Sequence, residues 1–576
     1  MNPEYKFKTK AASLLAGVSM FALSAGVSAL ETLPKDKSMS GMDIELVGRA
    51  DLWTYQSCDS YNESPLTQSY VDAGKLPPVN ERMPKEPWMA KKDQMVDGIG
   101  EYGGTFRHVI GGRPEGFNWL AGQSQGWGGI NIQLMESLTR LGPLWQVKAE
   151  EANPLPNLAK DWEFSNDRKS LTMYLLEGAR WSDGNMFDTE DIDFWWNDNV
   201  QDANVNSRLP KDALGAGTTL EILGPYSFKF NFDEPKGNAV LAQLAYMGGA
   251  PGPSHVMKSL HPSHNSDATY ESYANGMPAS VLPIVTMGAF VPVVHKVDEL
   301  MVMKRNPYYW KVDEDCNQLP YYNETIYKLT SWDDRTTQAL AGTGDFSNME
   351  NPGNYVEALK QNKDPNSPVK SVFGTRLIAW DLMLNLSSEF GVSNEYEREL
   401  RKLFRNVEFR KAMSHAMDRD TMGQSVARGP FFHPHAGGFV AGSPFHNFDD
   451  SIYYAYNVAG ANAILDGLGL EDSDGNGIRN LPNGGDDLVI DVLYNSLRST
   501  DNKLADASVS MFEAIGMKPV LKPSDNTDAF TDSGNWSMYI AREHWVVASK
   551  NIGDRLPTTS QNPQWHRDNE GDLLPF

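Results

Sequence analysis

The strongest constraint on the fold is a strand–helix–strand pattern late in the chain. Residues 488–494 are apolar and strand-like, residues 502–515 have helical periodicity that ends at Gly516, and residues 518–521 form a second apolar run. Two strands joined by a helix of this length pair in parallel through a crossover connection. This part of the chain therefore predicts an α/β fold with a parallel sheet.

The chain before this unit changes character near its middle. Strands are predicted around residues 103–111, 171–176 and 220–232, with one helix capped by Asp188. Further on, apolar residues recur at helical spacing, as in the helix that begins near Asn406. A β-rich first half and an α/β second half predict two lobes, which suits a chain of 576 residues.

The N-terminus has the pattern of a secretory signal. Lys6, Lys8 and Lys10 precede an uncharged run over residues 11–27, and small residues stand before a cleavage point after Ala29. The run is too short and too weakly apolar for a membrane anchor. We therefore expect export to the periplasm, and cleavage would change the net charge from −24 to −26.

Charge and hydropathy exclude two classes of protein. With 51 Lys and Arg against 75 Asp and Glu, the chain lacks the basic face that a nucleic acid requires. A mean hydropathy of −0.46 excludes a polytopic membrane protein. Cys58 and Cys316 either form a disulfide in an oxidising compartment or remain two thiols, and the sequence leaves both possibilities open.

A serine motif supplies one alternative function. Ser124 lies in Gly122-Gln-Ser-Gln-Gly126, which matches the GxSxG pattern of a serine nucleophile. That motif needs a strand before the serine and a helix after it, whereas Gly-rich sequence follows here. We interpret the match as chance, and a secreted serine hydrolase stays the alternative function, together with a periplasmic chaperone.

One loop has calcium-type spacing. Asp472, Asp474 and Asn476 supply oxygen atoms at positions 1, 3 and 5, and Gly477 follows at position 6. The twelfth position is Asn483 instead of the usual glutamate. The pattern predicts a structural calcium site, with an Asx-rich turn as the alternative, and we expect no other cofactor.

Aromatic residues are abundant, with 15 Trp, 22 Tyr and 24 Phe. Several tryptophans stand beside loop residues, where their faces can stack on sugar rings or peptide side chains. For any single tryptophan, packing in a core is the better explanation. Their number across the chain favours a binding cleft over a hydrolytic site.

Five segments, in order, resemble one protein family. They resemble the family 5 extracytoplasmic solute-binding proteins of ABC importers, the dipeptide- and oligopeptide-binding type. These segments are Tyr102-Gly-Gly-Thr-Phe106, residues 179–192 (ARWSDGNMFDTEDI), residues 303–310 (MKRNPYYW), residues 407–419 (VEFRKAMSHAMDR) and residues 474–479 (DGNGIR). Residues 76–84 (LPPVNERMP) are similar to those of a longer subgroup, some members of which handle oligosaccharides such as α-galactosides.

The resemblance implies a periplasmic-binding-protein type II-like fold with an extra β-rich subdomain and an N-terminal extension. Two lobes would close on a peptide or oligosaccharide, and the monomeric protein would then dock on a membrane permease that has separate ATPase subunits. No covalent chemistry is required, so we expect no enzyme activity. The implied segments are a signal peptide (1–29), an irregular extension (30–98), lobe I with the subdomain (99–374), lobe II (375–545) and the start of a return to lobe I (546–576), and the sequence leaves open whether this return is truncated.

The candidate ligand-contact residues are chosen from their position and residue type, and core packing explains each of them about as well. The predicted contacts are Arg113, Asn118, Trp119, Trp380, Asp381, Arg542, Glu543, His544 and Trp545. Peptide-binding members hold the ligand's α-amine with an Asp in a W-x-x-D stretch, but the aligned stretch Trp545-Val-Val-Ala548 has no acid. A buried ammonium without a carboxylate is costly, so this departure favours sugar hydroxyls as the groups that are recognised.

Overall fold

The structure is a computed structural model with two large hydrophobic cores. It describes residues 31–32, 52–92, 98–126, 128–141, 153–245, 247–347, 352–371, 378–426, 452–482 and 485–544, and residues 95, 349 and 434. The first core is built from residues between Trp88 and Leu329, and the second from residues between Leu386 and Ile540. The described part of the chain therefore forms two lobes.

The first lobe is centred on a four-stranded sheet. Its strands are β1 (Thr105–Ile110), β2 (Phe290–Lys296), β3 (Leu300–Arg305) and β4 (Glu324–Leu329), in the spatial order β2-β3-β4-β1. Strands β4 and β1 are parallel, and the other neighbours are antiparallel. Helix α1 (Trp332–Leu340) follows β4 directly, and Ser331 caps it by accepting a hydrogen bond from the backbone N–H of Asp334.

A second antiparallel sheet forms the inserted subdomain. Its strands lie in the order Ala159–Phe164, Ser170–Leu175, Ser227–Asn231 and Thr219–Gly224. Buried and less buried residues alternate in the two central strands. Asp188 caps the helix Thr189–Asp193, as the sequence predicts, and this helix continues as a π-helix over Phe194–Val200. Trp195 and Trp196 on this helix are almost completely buried.

The segment before β1 is more regular than the sequence suggests. Its described part contains two helices, Pro65–Asp72 and Val79–Arg82, and two strands, Trp53–Tyr55 and Trp88–Ala90, which join Lys311–Asp313 in one small sheet. A disulfide joins Cys58 to Cys316 across 258 residues of sequence, which decides between the two states that the sequence leaves open. The expectation of an irregular extension is therefore wrong for residues 52–92, which are attached to the first lobe.

The second lobe contains the predicted parallel unit. Its strands are β5 (Ile378–Leu384), β6 (Val489–Asn495), β7 (Lys518–Ser524) and β8 (Met538–His544), in the order β5-β8-β6-β7. Strand β6 is parallel to both β7 and β8, whereas β5 is antiparallel to β8. Helix α2 (Ser499–Glu513) connects β6 to β7 and buries Leu504, Ala505 and Phe512, which belong to the second core.

Shorter elements complete the two lobes. In the first lobe these elements are the helices Trp119–Ala121, Ile130–Leu134, Ala239–Gln243, Ser254–Met257, Lys258–Leu260, Tyr270–Ala274, Pro352–Asn354 and Tyr355–Lys363, and the paired strands Thr139–Arg140 and Leu155–Pro156. In the second lobe they are the helices Glu395–Arg405, Val407–Ala416, Arg419–Val426, Val458–Gly467 and Asp528–Ser533. Strand Ile452–Tyr453 pairs with Glu31–Thr32. Among the described helices, none has both the length and the apolar character needed to cross a membrane.

Candidate ligand-binding site between the lobes

The two sheets present the ends of their parallel strands to each other. In the first lobe, β1 and β4 end side by side at Ile110 and Leu329. In the second lobe, Arg542 lies near the end of β8, which runs parallel to β6. The guanidinium carbon of Arg542 is 5.9 Å from the ring centre of Trp332, just after the end of β4. Open α/β sheets bind ligands at this edge, beyond the carboxyl ends of their strands.

We call this region the interlobe cleft, and its first-lobe side is formed by residues 111–113 and 330–335. Trp332 is half-buried there, at the start of α1. Its indole lies directly against Gly111 and Gly128, at which an added Cβ would come within 2.5 and 2.8 Å of indole atoms. The guanidinium carbon of Arg335, a buried residue of the same helix, is 5.0 Å from the ring centre.

The second-lobe side of the interlobe cleft is formed by Trp380 and Arg542. These residues are directly opposite each other in the register of β5 and β8, so their side chains leave the sheet on one face. The indole Nε1–H of Trp380 donates a 2.8 Å hydrogen bond to Oδ1 of Asp501, which is fully buried in the first turn of α2. Arg498 supplies a cation 3.6 Å from the other oxygen of Asp501.

Guanidinium groups and carboxylates are both present in this cluster, since Asp333 and Asp334 stand in the first turn of α1. Arg335, Arg498 and Arg542 bring three guanidinium groups, whereas Asp501 is the carboxylate that faces two of them. Burial raises the pKa of Asp501, although the charges of Arg498 and Arg542 and the hydrogen bond from Trp380 oppose this effect. The cluster combines guanidinium N–H donors with indole faces, a combination that suits a ligand rich in oxygen atoms and apolar ring faces.

Arg113 holds the first-lobe side of the interlobe cleft together. Its Nε donates to Oδ1 of Asp298 at 2.8 Å, and its Nη1 donates to the carbonyl oxygens of Gly111 and Thr330 at 3.1 and 3.3 Å. It thereby connects the residues that follow β1 to the residues that follow β4. The structure supports a positioning role for this predicted contact residue.

Asn118 and Trp119 are buried in the first lobe, which corrects their prediction as ligand contacts. The amide of Asn118 donates to the carbonyl oxygen of Tyr273 at 2.7 Å, and its side-chain oxygen accepts from the backbone N–H of Ala121. The indole N–H of Trp119 donates to the carbonyl oxygen of Pro251. Only 0 and 1% of these two residues is exposed, so they pack the core.

The remaining predicted contacts divide into two groups. Asp381 follows Trp380 on β5 and therefore points to the opposite face of the sheet, where its charge acts on Arg419. Glu543 and His544 are described by their backbone alone, in β8 opposite Ala379 and Ile378. Trp545 lies outside the described residues. For these three residues the ligand contact remains a prediction.

Sequence reasoning missed Trp332, Arg335 and Asp501. Each of them begins or occupies the first turns of a helix that directly follows a strand of a parallel pair. That position was visible for Asp501, because residues 488–521 already predict the parallel unit. The position of Trp332 was not visible, because β4, the strand before it, pairs with β1 about two hundred residues earlier in the sequence.

Ser124 lacks the surroundings of a catalytic serine. It follows the short 3₁₀ helix Trp119–Ala121 and lies in a loop, so no strand leads into it within residues 119–126. Its hydroxyl oxygen accepts a hydrogen bond from the backbone N–H of Gly126, and none of the described histidines bonds to it. The geometry of a nucleophile elbow is therefore not present at this serine.

The predicted calcium loop is closed by its own hydrogen bonds. The carboxylate of Asp472 accepts hydrogen bonds from the backbone N–H groups of Gly475, Asn476 and Gly477, and these bonds lower its pKa. The amide of Asn476 donates to Asp474. Among the described residues, no three or more His, Cys, Asp or Glu side chains are grouped as metal ligands. Calcium binding at Asp472, Asp474 and Asn476 stays a prediction.

Two α/β lobes whose parallel-strand edges meet over aromatic and guanidinium groups define a solute-binding protein. Residues 153–559 match the family model described as "Bacterial extracellular solute-binding proteins, family 5 Middle". The chain belongs to this family and is the solute-binding component of an ABC importer. The predicted fold class, with two lobes of the periplasmic-binding-protein type, is thereby confirmed.

Two relatives cover nearly the whole chain. The chain is 43% identical over 580 residues to the periplasmic alpha-galactoside-binding protein of Rhizobium meliloti, which covers 98% of this chain and 83% of the relative. The structure of the periplasmic binding protein MelB from Agrobacterium fabrum, in complex with stachyose, is 41% identical with a TM-score of 0.88 and covers 95% of this chain and 83% of that one.

Peptide-binding relatives are more distant. The oligopeptide-binding protein AppA from Bacillus subtilis, in complex with a nonapeptide, is 17% identical with a TM-score of 0.65, and the match covers 83% of this chain and 86% of that one. At this identity the similarity shows the fold alone.

Proposed function

We propose that this protein captures oligosaccharides of the α-galactoside class in the interlobe cleft and delivers them to a membrane permease with ATPase subunits. The observation that carries the proposal is the extended similarity to the alpha-galactoside-binding protein and to MelB with stachyose. Binding takes place without chemical change of the ligand. The signal-like residues 1–29 direct the chain to the periplasm, where such a receptor operates.

The buried carboxylate of the interlobe cleft already has partners, which supports a sugar over a peptide. A peptide brings an N-terminal ammonium, which needs a carboxylate when it is enclosed. Asp501 is fully buried and already interacts with Trp380 and Arg498, while Arg335 and Arg542 add positive charge at the same place. A neutral oligosaccharide brings no ammonium, and its hydroxyl oxygens accept hydrogen bonds from guanidinium groups.

A thermal-shift screen followed by calorimetry tests the proposal. The purified mature chain is heated with stachyose, with maltotetraose as a gluco-oligosaccharide of equal length, and with a tetrapeptide. A ligand that binds only the folded state adds about 2.7 kcal/mol of stability at a concentration 100 times its Kd. We expect a rise in Tm with stachyose alone, and chromatography of the recovered sugar should show no hydrolysis.

Other outcomes of this screen are decisive. Stabilisation by the tetrapeptide without any effect of stachyose would overturn the α-galactoside assignment. Hydrolysis of stachyose that disappears in Ser124→Ala would overturn the conclusion that the ligand leaves unchanged.

A further inference from the structure

We propose that Trp332 is the stacking surface for a sugar ring and that Arg542 covers this surface when the site is empty. The inference rests on the proposed function and assigns two specificity-determining residues to it. Trp332 belongs to the first lobe and Arg542 to the second. The contact between them therefore depends both on whether a ligand is bound and on how far apart the lobes are.

The position of the Trp332 ring is fixed from behind. Gly111 and Gly128 lie so close to the indole that neither position has room for a Cβ. The N-cap Ser331 sets the start of α1, and Arg335 packs on the ring from the next turn of the same helix. A rigid, half-buried indole at the edge of a cleft presents an apolar face at little entropic cost, which suits the C–H face of a galactose ring.

Arg542 occupies space that such a ring would need. Its guanidinium carbon is 5.9 Å from the ring centre, close to the limit of roughly 6 Å for a cation–π contact. The contact is therefore one that a bound ring can replace. The charge of Arg542 also acts on Asp501, which belongs to its own lobe. A displaced Arg542 would thus remain beside the cleft, where its N–H groups can donate to sugar hydroxyls.

The alternative is that the contact only holds the two lobes together. A simple latch would change the equilibrium between open and closed lobes, but it would not make the indole itself a part of the ligand site. The two explanations make different predictions for the affinity for sugar when Trp332 is replaced and the other side chains of the cleft are kept. A stacking surface requires the aromatic ring, whereas a latch does not.

Calorimetric titration with stachyose separates these explanations. Trp332→Ala should weaken binding by about 30-fold, the scale of a residue that dominates an interface, and Trp332→Phe should recover part of the loss. Trp162→Phe is the matched control, because Trp162 is a half-buried tryptophan of the subdomain sheet, and it should leave binding unchanged. Urea unfolding of every variant checks that it folds.

The proposal that Arg542 covers the Trp332 ring in the empty site is tested by fluorescence quenching without sugar. Acrylamide should quench Arg542→Ala more than the natural protein, and this difference should vanish when both variants also carry Trp332→Phe. Stachyose should protect the indole in the natural protein and in Arg542→Ala alike. Arg542→Ala should also bind stachyose about tenfold more weakly, because it loses donors to the hydroxyls.

Each part of the inference has its own contrary result. Unchanged affinity in folded Trp332→Ala or Trp332→Phe would overturn the stacking surface while the proposed function stands. Equal quenching with and without Arg542 would overturn the cover. If the natural protein binds no α-galactoside at all, the proposed function fails and this inference fails with it.

Discussion

The indole N–H of Trp380 donates a hydrogen bond of 2.8 Å to the buried carboxylate of Asp501, which connects β5 to the first turn of α2. This bond fixes the second-lobe side of the interlobe cleft, because Arg542 lies opposite Trp380 on the neighbouring strand and its charge acts on the same carboxylate. Loss of this bond should therefore affect both the stability of the second lobe and the position of the side chains that form the ligand site.

Replacing Trp380 with Phe should weaken both properties. The variant keeps an aromatic ring but leaves the buried Asp501 oxygen without its donor, which costs about 1–3 kcal/mol of unfolding free energy. Urea unfolding measures this loss, and calorimetry with stachyose should show weaker binding. Trp162→Phe is the control, because Trp162 is also half-buried and its backbone N–H, which the substitution keeps, makes its hydrogen bond to Asp161. Equal stability of Trp380→Phe and the control would contradict the role of this bond.

The disulfide makes a prediction for the segment before β1. Cys58 and Cys316 attach the described residues 52–92 to the first lobe, and the bond closes a loop of 258 residues. Replacing both cysteines with Ser should lower the unfolding free energy by about 2–5 kcal/mol. We expect limited proteolysis to cut residues 52–92 much faster in the double variant.

Ligand binding provides the contrast for the disulfide variant. The two cysteines pack on a small core of their own, which contains none of the residues that form the interlobe cleft, so the affinity for stachyose should be nearly unchanged. Resistance to proteolysis equal to that of the natural protein would show that the other contacts of this segment are sufficient. One such contact is the ion pair between the buried Arg82 and Glu63.

A buried ion pair of the first lobe predicts an acid-sensitive component of stability. Burial alone would raise the pKa of Glu136, but the Lys311 ammonium and hydrogen bonds from Lys311 and Asn157 outweigh it and hold this pKa below the usual value of 4.5. A depressed carboxyl pKa contributes stability above the unfolded-state pKa, and this contribution is lost as pH falls through the folded-state pKa. Unfolding free energy should therefore decrease below about pH 4.5.

The variant Glu136→Gln isolates this component. It leaves the buried Lys311 ammonium without its carboxylate, so it should cost about 3–5 kcal/mol at pH 7. It should also remove part of the decrease in acid, which urea unfolding between pH 3 and pH 7 would measure. Glu221→Gln breaks the exposed pair with Lys229 and should change little. An unaltered acid profile in Glu136→Gln would contradict the assignment.

Much of the fold follows from local patterns. The predicted helix beginning near Asn406 is found as Val407–Ala416, with the Asn406 side chain as its cap. The predicted strand–helix–strand unit is found as β6, α2 and β7, with β6 and β7 parallel. These elements were predictable because periodicity and capping are determined by residues close together in sequence.

The candidate site was predictable only in part. Trp380 and Arg542 were identified from their position in the second lobe, and the structure places them side by side. Asn118 and Trp119 were misassigned because a polar and an aromatic residue after a strand suit a cleft and a core equally well, and here a 3₁₀ turn carries both inward. Trp332 was missed because its partners Gly111, Gly128 and Arg542 come from distant parts of the chain.

The glycine behind Trp332 gives the last prediction. A Cβ at Gly111 would lie 2.5 Å from indole atoms of Trp332, so Gly111→Ala should push the ring forward into the interlobe cleft. We expect about tenfold weaker stachyose binding, with a loss of about 1–3 kcal/mol in unfolding free energy from overpacking. Calorimetry and urea unfolding measure the two effects separately.

The control for this substitution is Gly467→Ala at the end of the helix Val458–Gly467. An added Cβ there meets no atom within 4 Å, so the change should leave stachyose binding unaltered and stability unchanged or slightly increased. Because Gly111→Ala keeps the Trp332 side chain but shifts its ring, weaker binding would show that the position of the indole matters. Full affinity in Gly111→Ala, at a measurable loss of stability, would mean that ligands do not depend on where this ring lies.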